Sequence, residues 1–210
     1  MEKILITPYF KTQDSNRNIE LDRVLSRNLD SNLFEKIILF CDPGAIPPIT
    51  DQKIEVMQTK HRPKYCDFFK EGNKHTNKIV VVANSDIFFD ETLNFAEEYL
   101  IDEKRVLALT RYEYVFRNDG TYSSRMEMGC DSQDSWIFIP VLDTENMDIS
   151  FGLGVPGCDN RLAFELSKKY EVINPSLSIK TYHVHESNFR TYDPNKRLVG
   201  EYLQIHIQRS

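Results

Sequence analysis

Read for apolar and polar positions, the chain predicts strands and helices in alternation. Ile4–Thr7 is a short first strand that ends in Pro8, Tyr9 and Phe10. From Asn16 to Asn28 helical spacing links Ile19, Leu21, Val24, Leu25 and Leu29, with Asp14, Ser15 or Asn16 available as N-cap. Phe34–Phe40 is a second strand closed by Asp42-Pro43-Gly44, and Ile54–Gln58 a third. A polar helix between Arg62 and His75, with Tyr65, Phe68 and Phe69 on one face, leads into Lys78–Asp90, the stretch that organises the rest. There Ile79 to Ala83 are apolar without interruption, as in a central strand of a parallel sheet covered on both faces. Asn84, Ser85 and Asp86 follow at once, before Ile87, Phe88 and Phe89 turn the chain apolar again.

Beyond this point the pattern predicts a helix over Glu91–Leu100 and a strand over Val106–Thr110. Arg111–Arg125 is an aromatic, charged hairpin or loop, and Ser135–Pro140 another strand. Phe151–Gly157 is a glycine-rich loop that lets backbone approach a ligand. A helix over Asp159–Tyr170, a strand-like stretch over Val172–Ile179 and a polar tail from Thr181 complete the chain. The 210 residues read as one α/β domain, a Rossmann-like, mostly parallel sheet flanked by helices, either whole or excised from a longer protein.

Composition narrows the setting. No apolar window is long enough to span a membrane, and the first ten residues hold too short an apolar run for a signal peptide. Cys41, Cys66, Cys130 and Cys158 form no CxxC pair, which argues against a zinc site and for reduced thiols in a cytoplasmic protein. A net charge of −6 disfavours nucleic acid as a partner. It also requires that any bound diphosphate be neutralised locally, by arginine, lysine or a metal.

Ligands of open α/β sheets bind beyond the carboxyl ends of the strands, so polar clusters there are the candidate chemistry. Asp86 is placed to hold Mg²⁺ or Mn²⁺, or simply to cap a turn. Asp131-Ser132-Gln133-Asp134 precedes the strand that holds Trp136. Asp159 follows the glycine loop, as an N-cap or as a carboxylate facing the crevice. His183 and His185 share one side if extended, as surface histidines or as ligands completing the sphere of Asp86. Arg62 and Lys64, flanking Pro63, could meet phosphate. No GxGxxG follows a strand, and neither GxxxxGK[ST] nor GxSxG occurs, which removes the usual dinucleotide fold, the P-loop and the α/β-hydrolases.

Taken together, NSD at 84–86, SQDSW at 132–136, GVPGCDNRLAFEL at 154–166 and HVHES at 183–187 resemble small GT-A-type glycosyltransferases. The order is similar to the N-terminal glycosyltransferase domain of a multi-domain chlorella virus protein, and the resemblance spans essentially the whole chain. It implies a DxD-type site at Asn84, Ser85 and Asp86, with Asp86 holding Mn²⁺ or Mg²⁺ against the diphosphate of a nucleotide sugar. This sequence departs from the pattern at Asn84, an amide in place of the first acid. The resemblance further implies His183 or His185 as metal ligand, Thr7, Pro8 and Tyr9 as the uridine cradle, and Arg62 on the nucleotide. Asp159 or Asp134 would take the acceptor proton in an inverting enzyme, or orient substrate in a retaining one. The implied donor is a UDP-sugar such as UDP-glucose or UDP-rhamnose and the acceptor a glycan, in the cytoplasm of a host cell. Two other classes stay open: a nucleotidyltransferase, for which a glycine- and lysine-rich first loop is expected where this chain has TPYFKTQ, and a non-catalytic glycan-binding domain.

Overall fold

A computed structural model describes residues 1–116, 121–127, 129, 132–187, 189, 193 and 196–208. Its elements are β1 (Lys3–Tyr9), α1 (Ser15–Asp30), β2 (Lys36–Cys41), β3 (Ile54–Gln58), α2 (Tyr65–Gly72), β4 (Ile79–Ala83) and β5 (Ile87–Phe89). A 3₁₀ turn over Glu91–Phe95 leads to α3 (Ala96–Tyr99), β6 (Arg105–Leu109), β7 (Tyr112–Phe116) and β8 (Tyr122–Met126). Then come β9 (Ser135–Phe138), α4 (Cys158–Ser167), β10 (Glu171–Ile173) and β11 (Thr181–His183). Seven strands form a mixed sheet in the order β10-β6-β9-β4-β1-β2-β3, and β5-β11-β7-β8 form a second.

In the large sheet only β9 runs against its neighbours; β1 is parallel to β2 and β4, β2 to β3, and β10 to β6. The apolar run at 79–83 is the middle strand and wholly buried. Its side chains divide by strand alternation. Val80 and Val82 join Phe68, Phe69, Trp136 and Leu162 in one core layer, while Ile79, Val81 and Ala83 join Leu25, Phe34 and Leu93 in the other.

Two features of this topology position a site. Strand order reverses between β1 and β4, the switch point at which open α/β sheets hold ligands. Because β9 is reversed, the residue just before it lies at the same sheet edge as the residues just after β4 and β6. Ala83 and Leu109 both pair with Ser135, and the Asn84 N–H donates to the Asp134 carbonyl at 3.0 Å.

Helix α1 departs from the sequence phase. Its buried stripe is Arg17, Glu20, Leu21, Val24, Leu25 and Asn28, and Ile19 is 54% exposed. The polar members of the stripe have buried partners, so tertiary contacts override the apolar pattern. The Asn28 side chain, for one, donates to the Ile87 carbonyl and accepts from the Phe89 N–H. Asp14 is the N-cap, accepting from the Arg17 N–H.

Two strands, β5 and β11, escape the sequence reading, being only three residues each. The expected last strand stops at Ile173, because Asn174 turns inward to donate to Thr110 Oγ1 and the Ile205 carbonyl. Among the described residues Cys41, Cys66 and Cys158 are free thiols. Cys130 and Asp131 lie outside the described residues. No helix of the described residues is long and apolar enough to cross a membrane.

Candidate functional site

A cleft of about 410 Å³ opens at the carboxyl edge of the sheet, over the switch point. Pro8 from the end of β1, Asn84, Ser85 and Asp86 after β4, Asp134 before β9, Asp159 in α4, His183 at the end of β11 and His185 just after it all line it. Nearly every acid and imidazole singled out by sequence is therefore gathered in one cavity.

Asp86, His183 and His185 place one donor atom each within 4.8 Å of one another. Antiparallel pairing of His183 with Ile87 folds the last short strand back beside the Asn84–Asp86 turn, and the Val184 N–H donates to the Asp86 carbonyl. His183 Nε2 lies 3.3 Å from Asp86 Oδ2, and its Nδ1 is 2.8 Å from Glu113 Oε2. His185 Nε2 is 3.0 Å from the Phe189 carbonyl, a contact that fixes its proton there and leaves Nδ1 a lone pair. Both rings thus carry the outer partner typical of metal-ligating histidines. Two imidazoles and one carboxylate fit a divalent transition ion such as Mn²⁺ better than Mg²⁺, which prefers oxygen donors.

The cluster is also an ion-pair chain. The Arg17 guanidinium pairs with Asp86, donates to Glu20 at 2.8 Å and reaches the Val184 carbonyl at 3.1 Å. Burial would raise the Asp86 carboxyl, but His183 and Arg17 hold it well below the ordinary range. Burial would likewise lower His183, yet Asp86 and Glu113 bring it up to about 9, so the ring must lose a proton to serve as a ligand. Arg111 continues the chain, bridging Glu113 at 2.5 Å and Asp134 at 2.9 Å.

Asp134 explains the amide at position 84. Asn84 Nδ2 donates to Asp134 Oδ1 at 2.7 Å, a contact in which a carboxylate at 84 would meet a second carboxylate. Asn84→Asp, which puts an acid at both ends of the Asn84–Asp86 turn, is expected to lower stability at pH 7 by about 1–3 kcal/mol. Urea midpoints read the loss, which should shrink on acidification as one of the two acids protonates. An unchanged midpoint at pH 7 would show that the amide is not what holds Asp134.

Asp159 is not the N-cap of α4. Gly157, at φ 82°, takes that place in a left-handed conformation suited to glycine, and Asp159 sits in the first turn facing the cleft. Cys158 Sγ donates to its Oδ1 at 3.2 Å. Burial and the neighbouring Asp134 charge push its pKa up to about 8.

At the opposite end, Pro8, Phe10, Asp42, Arg62, Phe68 and Leu153 enclose a smaller recess of about 60 Å³ continuous with the cleft. Arg62 Nη2 donates to the Leu153 carbonyl at 2.9 Å, and the glycine loop comes close to it: a Cβ at Gly154 would lie 3.5 Å from that nitrogen. Thr7 and Tyr9 are not brought here. Strand alternation turns them to the α1 face, where Tyr9 is core and its hydroxyl donates to Asp22 at 2.7 Å. Phe10 lines the cleft instead. Lys64 precedes α2, its N–H donating to Asp67, and is not part of the lining.

Sequence reasoning missed Arg17, Glu20, Asp42, Phe10, Arg111 and Glu113. Arg17 and Glu20 were findable, since they continue the Leu21, Val24, Leu25 stripe at three- and four-residue spacing. Glu113 and Arg111 carried no such signal; they reach the cleft only because β7 pairs with β11 in the second sheet.

No family model and no curated protein matches the chain. Solved structures with similarity include HddC from Yersinia pseudotuberculosis, 11% identical over 66% of this chain and 77% of that one, TM-score 0.43. Francisella tularensis 2-C-methyl-D-erythritol 4-phosphate cytidylyltransferase (IspD) is 15% identical over 65% and 72%, TM-score 0.40. S. aureus TarS 1-349 in complex with UDP-GlcNAc is 16% identical over 56% and 36%, TM-score 0.38. Likeness at this level assigns no activity.

Proposed function

We propose that the chain is a metal-assisted glycosyltransferase, moving a sugar from a nucleoside diphosphate to a glycan hydroxyl. What carries this reading is the convergence in one cleft, at the switch point, of the Asp86–His183–His185 donor set with the Asp134–Asp159 acidic pair.

The narrow recess between Pro8, Phe10 and Leu153 suits a flat nucleobase ring, with the Asp42 carboxylate available to accept from a base N–H. Arg62 is the side chain positioned to meet the diphosphate. Asp86, His183 and His185 would hold Mn²⁺, which as a Lewis acid stabilises charge on the departing diphosphate. Asp159, with its pKa near working pH, takes the proton from the acceptor hydroxyl, the condition under which a general base works best. Asp134, fixed by Asn84 and Arg111, is the neighbouring charge that adds to burial in raising that pKa. The proposed donors are UDP-glucose and UDP-rhamnose. By the resemblance of its motifs to the chlorella virus domain, the proposed setting is viral glycan synthesis in the host cytoplasm.

The test is incubation with each UDP-sugar and Mn²⁺, following UDP release, beside incubation with UTP and a sugar 1-phosphate, following pyrophosphate. UDP release from a UDP-sugar is the expected result. Pyrophosphate release would make the chain a nucleotidyltransferase, and neither product a glycan-binding domain.

A further inference from the structure

We propose that Arg17 is a resident counter-ion of the cleft that opposes metal entry, so that metal affinity is set from helix α1. The inference rests on the reading of Asp86, His183 and His185 as the metal ligands.

Arg17 is 5% exposed and Asp86 8%, and the pair they form is buried inside the cavity wall rather than solvated at its rim. The Asp86 oxygen that Arg17 engages, Oδ2, is the same one that faces His183 Nε2 at 3.3 Å. A guanidinium there already matches the carboxylate charge. It also places a positive charge within a few Å of where a divalent ion would sit, and like charges at such distances repel strongly inside a protein. An ordinary outer partner of a ligating carboxylate acts in the opposite sense, orienting it and strengthening metal binding. The two roles therefore predict opposite signs.

Arg17 also has a second seat. Its Nη1 holds Glu20 Oε2 and the Val184 carbonyl, and Glu20 in turn accepts from the backbone N–H groups of Glu186 and Ser187, directly after His185. Arg17 can thus yield Asp86 without becoming an unpaired buried cation. Glu20 is a positioning residue in this scheme: it draws Arg17 away from the ligand and ties it to the chain segment that carries both histidines.

The experiment measures Mn²⁺ binding directly, by the electron paramagnetic resonance signal of the free ion, in the wild type, Arg17→Gln and Arg17→Lys. Glutamine keeps a donor for Asp86 and removes the charge; lysine keeps the charge. Arg17→Gln is expected to bind Mn²⁺ at least tenfold more tightly than the wild type, and Arg17→Lys about as the wild type does. Equal or weaker binding in Arg17→Gln overturns the inference and leaves the metal reading standing, an outer-partner role predicting a loss of about 10- to 100-fold. No Mn²⁺ binding in any of the three, with UDP present, overturns both. Should Arg17→Gln not fold, Glu20→Gln supplies the same test with reversed sign: Arg17 loses its second seat, and Mn²⁺ affinity should fall. An unchanged affinity in that variant counts against the proposal.

Discussion

Replacing Asp86 with asparagine is expected to lower UDP-sugar turnover by about a thousandfold while the fold holds. The size follows from the role: a Lewis acid on a departing diphosphate supplies several kcal/mol, and each 1.36 kcal/mol is about tenfold in rate. Asparagine keeps an oxygen to accept from Arg17, and Arg17 keeps Glu20 and the Val184 carbonyl. His183 keeps Glu113. No buried cation is left without a partner, so the protein should still fold, with a melting temperature lowered by the lost carboxylate charge but not enough to account for the loss of rate. Steady-state UDP release and a thermal melt on the same sample separate the two. Retained turnover in a folded Asp86→Asn protein would remove Asp86 from the chemistry.

The second large effect is at Asp159, and it has a pH signature. Burial and Asp134 raise its pKa from 3.8 to about 8, so between those values the folded protein holds a proton that the unfolded chain has released. The sign follows from linkage. Stability associated with this group is full below about pH 4, declines as pH rises and is lost once pH passes about 8. Asp159→Asn removes that slope, since the amide does not titrate and can still accept from Cys158 Sγ. The variant should match the wild type near pH 4 and exceed it in stability at pH 9, as read from urea midpoints. Its turnover should be lower by about 10²- to 10⁴-fold, the usual worth of a general base. Wild-type turnover should rise with pH and level off above about 8, when the carboxylate is free to accept a proton. A flat wild-type profile, or a variant of equal rate, would deny Asp159 the role of base.

Much of this architecture was legible in the sequence because it depends on local pattern. Ile79 to Ala83 announces a buried central strand by composition alone, and polar residues directly after such a strand fall at its carboxyl edge wherever the helices pack. Asp134 was legible as a polar residue next to a strand, but its place opposite Asn84 depends on β9 running backwards, which no local pattern encodes. The same holds for the second sheet. β5 and β11 are three residues long, too short for period-two alternation to register, and they exist because each is the other's partner. Their pairing is what carries His183 to Asp86. Thr7 and Tyr9 illustrate the opposite case: alternation along β1 was available from sequence and already separated them from Pro8. Arg17 lies on the helical stripe of Leu21, Val24 and Leu25 and was within reach of that pattern. A charged residue near a helix start is ordinarily solvated, however, and the buried role of Arg17 depends on Asp86 and Glu20.

A calorimetric titration with UDP, with and without Mn²⁺, paired with thermal unfolding, decides whether the cleft takes a nucleoside diphosphate. UDP is expected to bind, more tightly with Mn²⁺ and less so with Mg²⁺. The unfolding transition should move upward with it, by about 2.7 kcal/mol in stability at a hundred times the dissociation constant. No heat and no shift with UDP under any of these conditions would contradict the proposed role of Arg62, Asp86 and the two histidines in holding a nucleoside diphosphate.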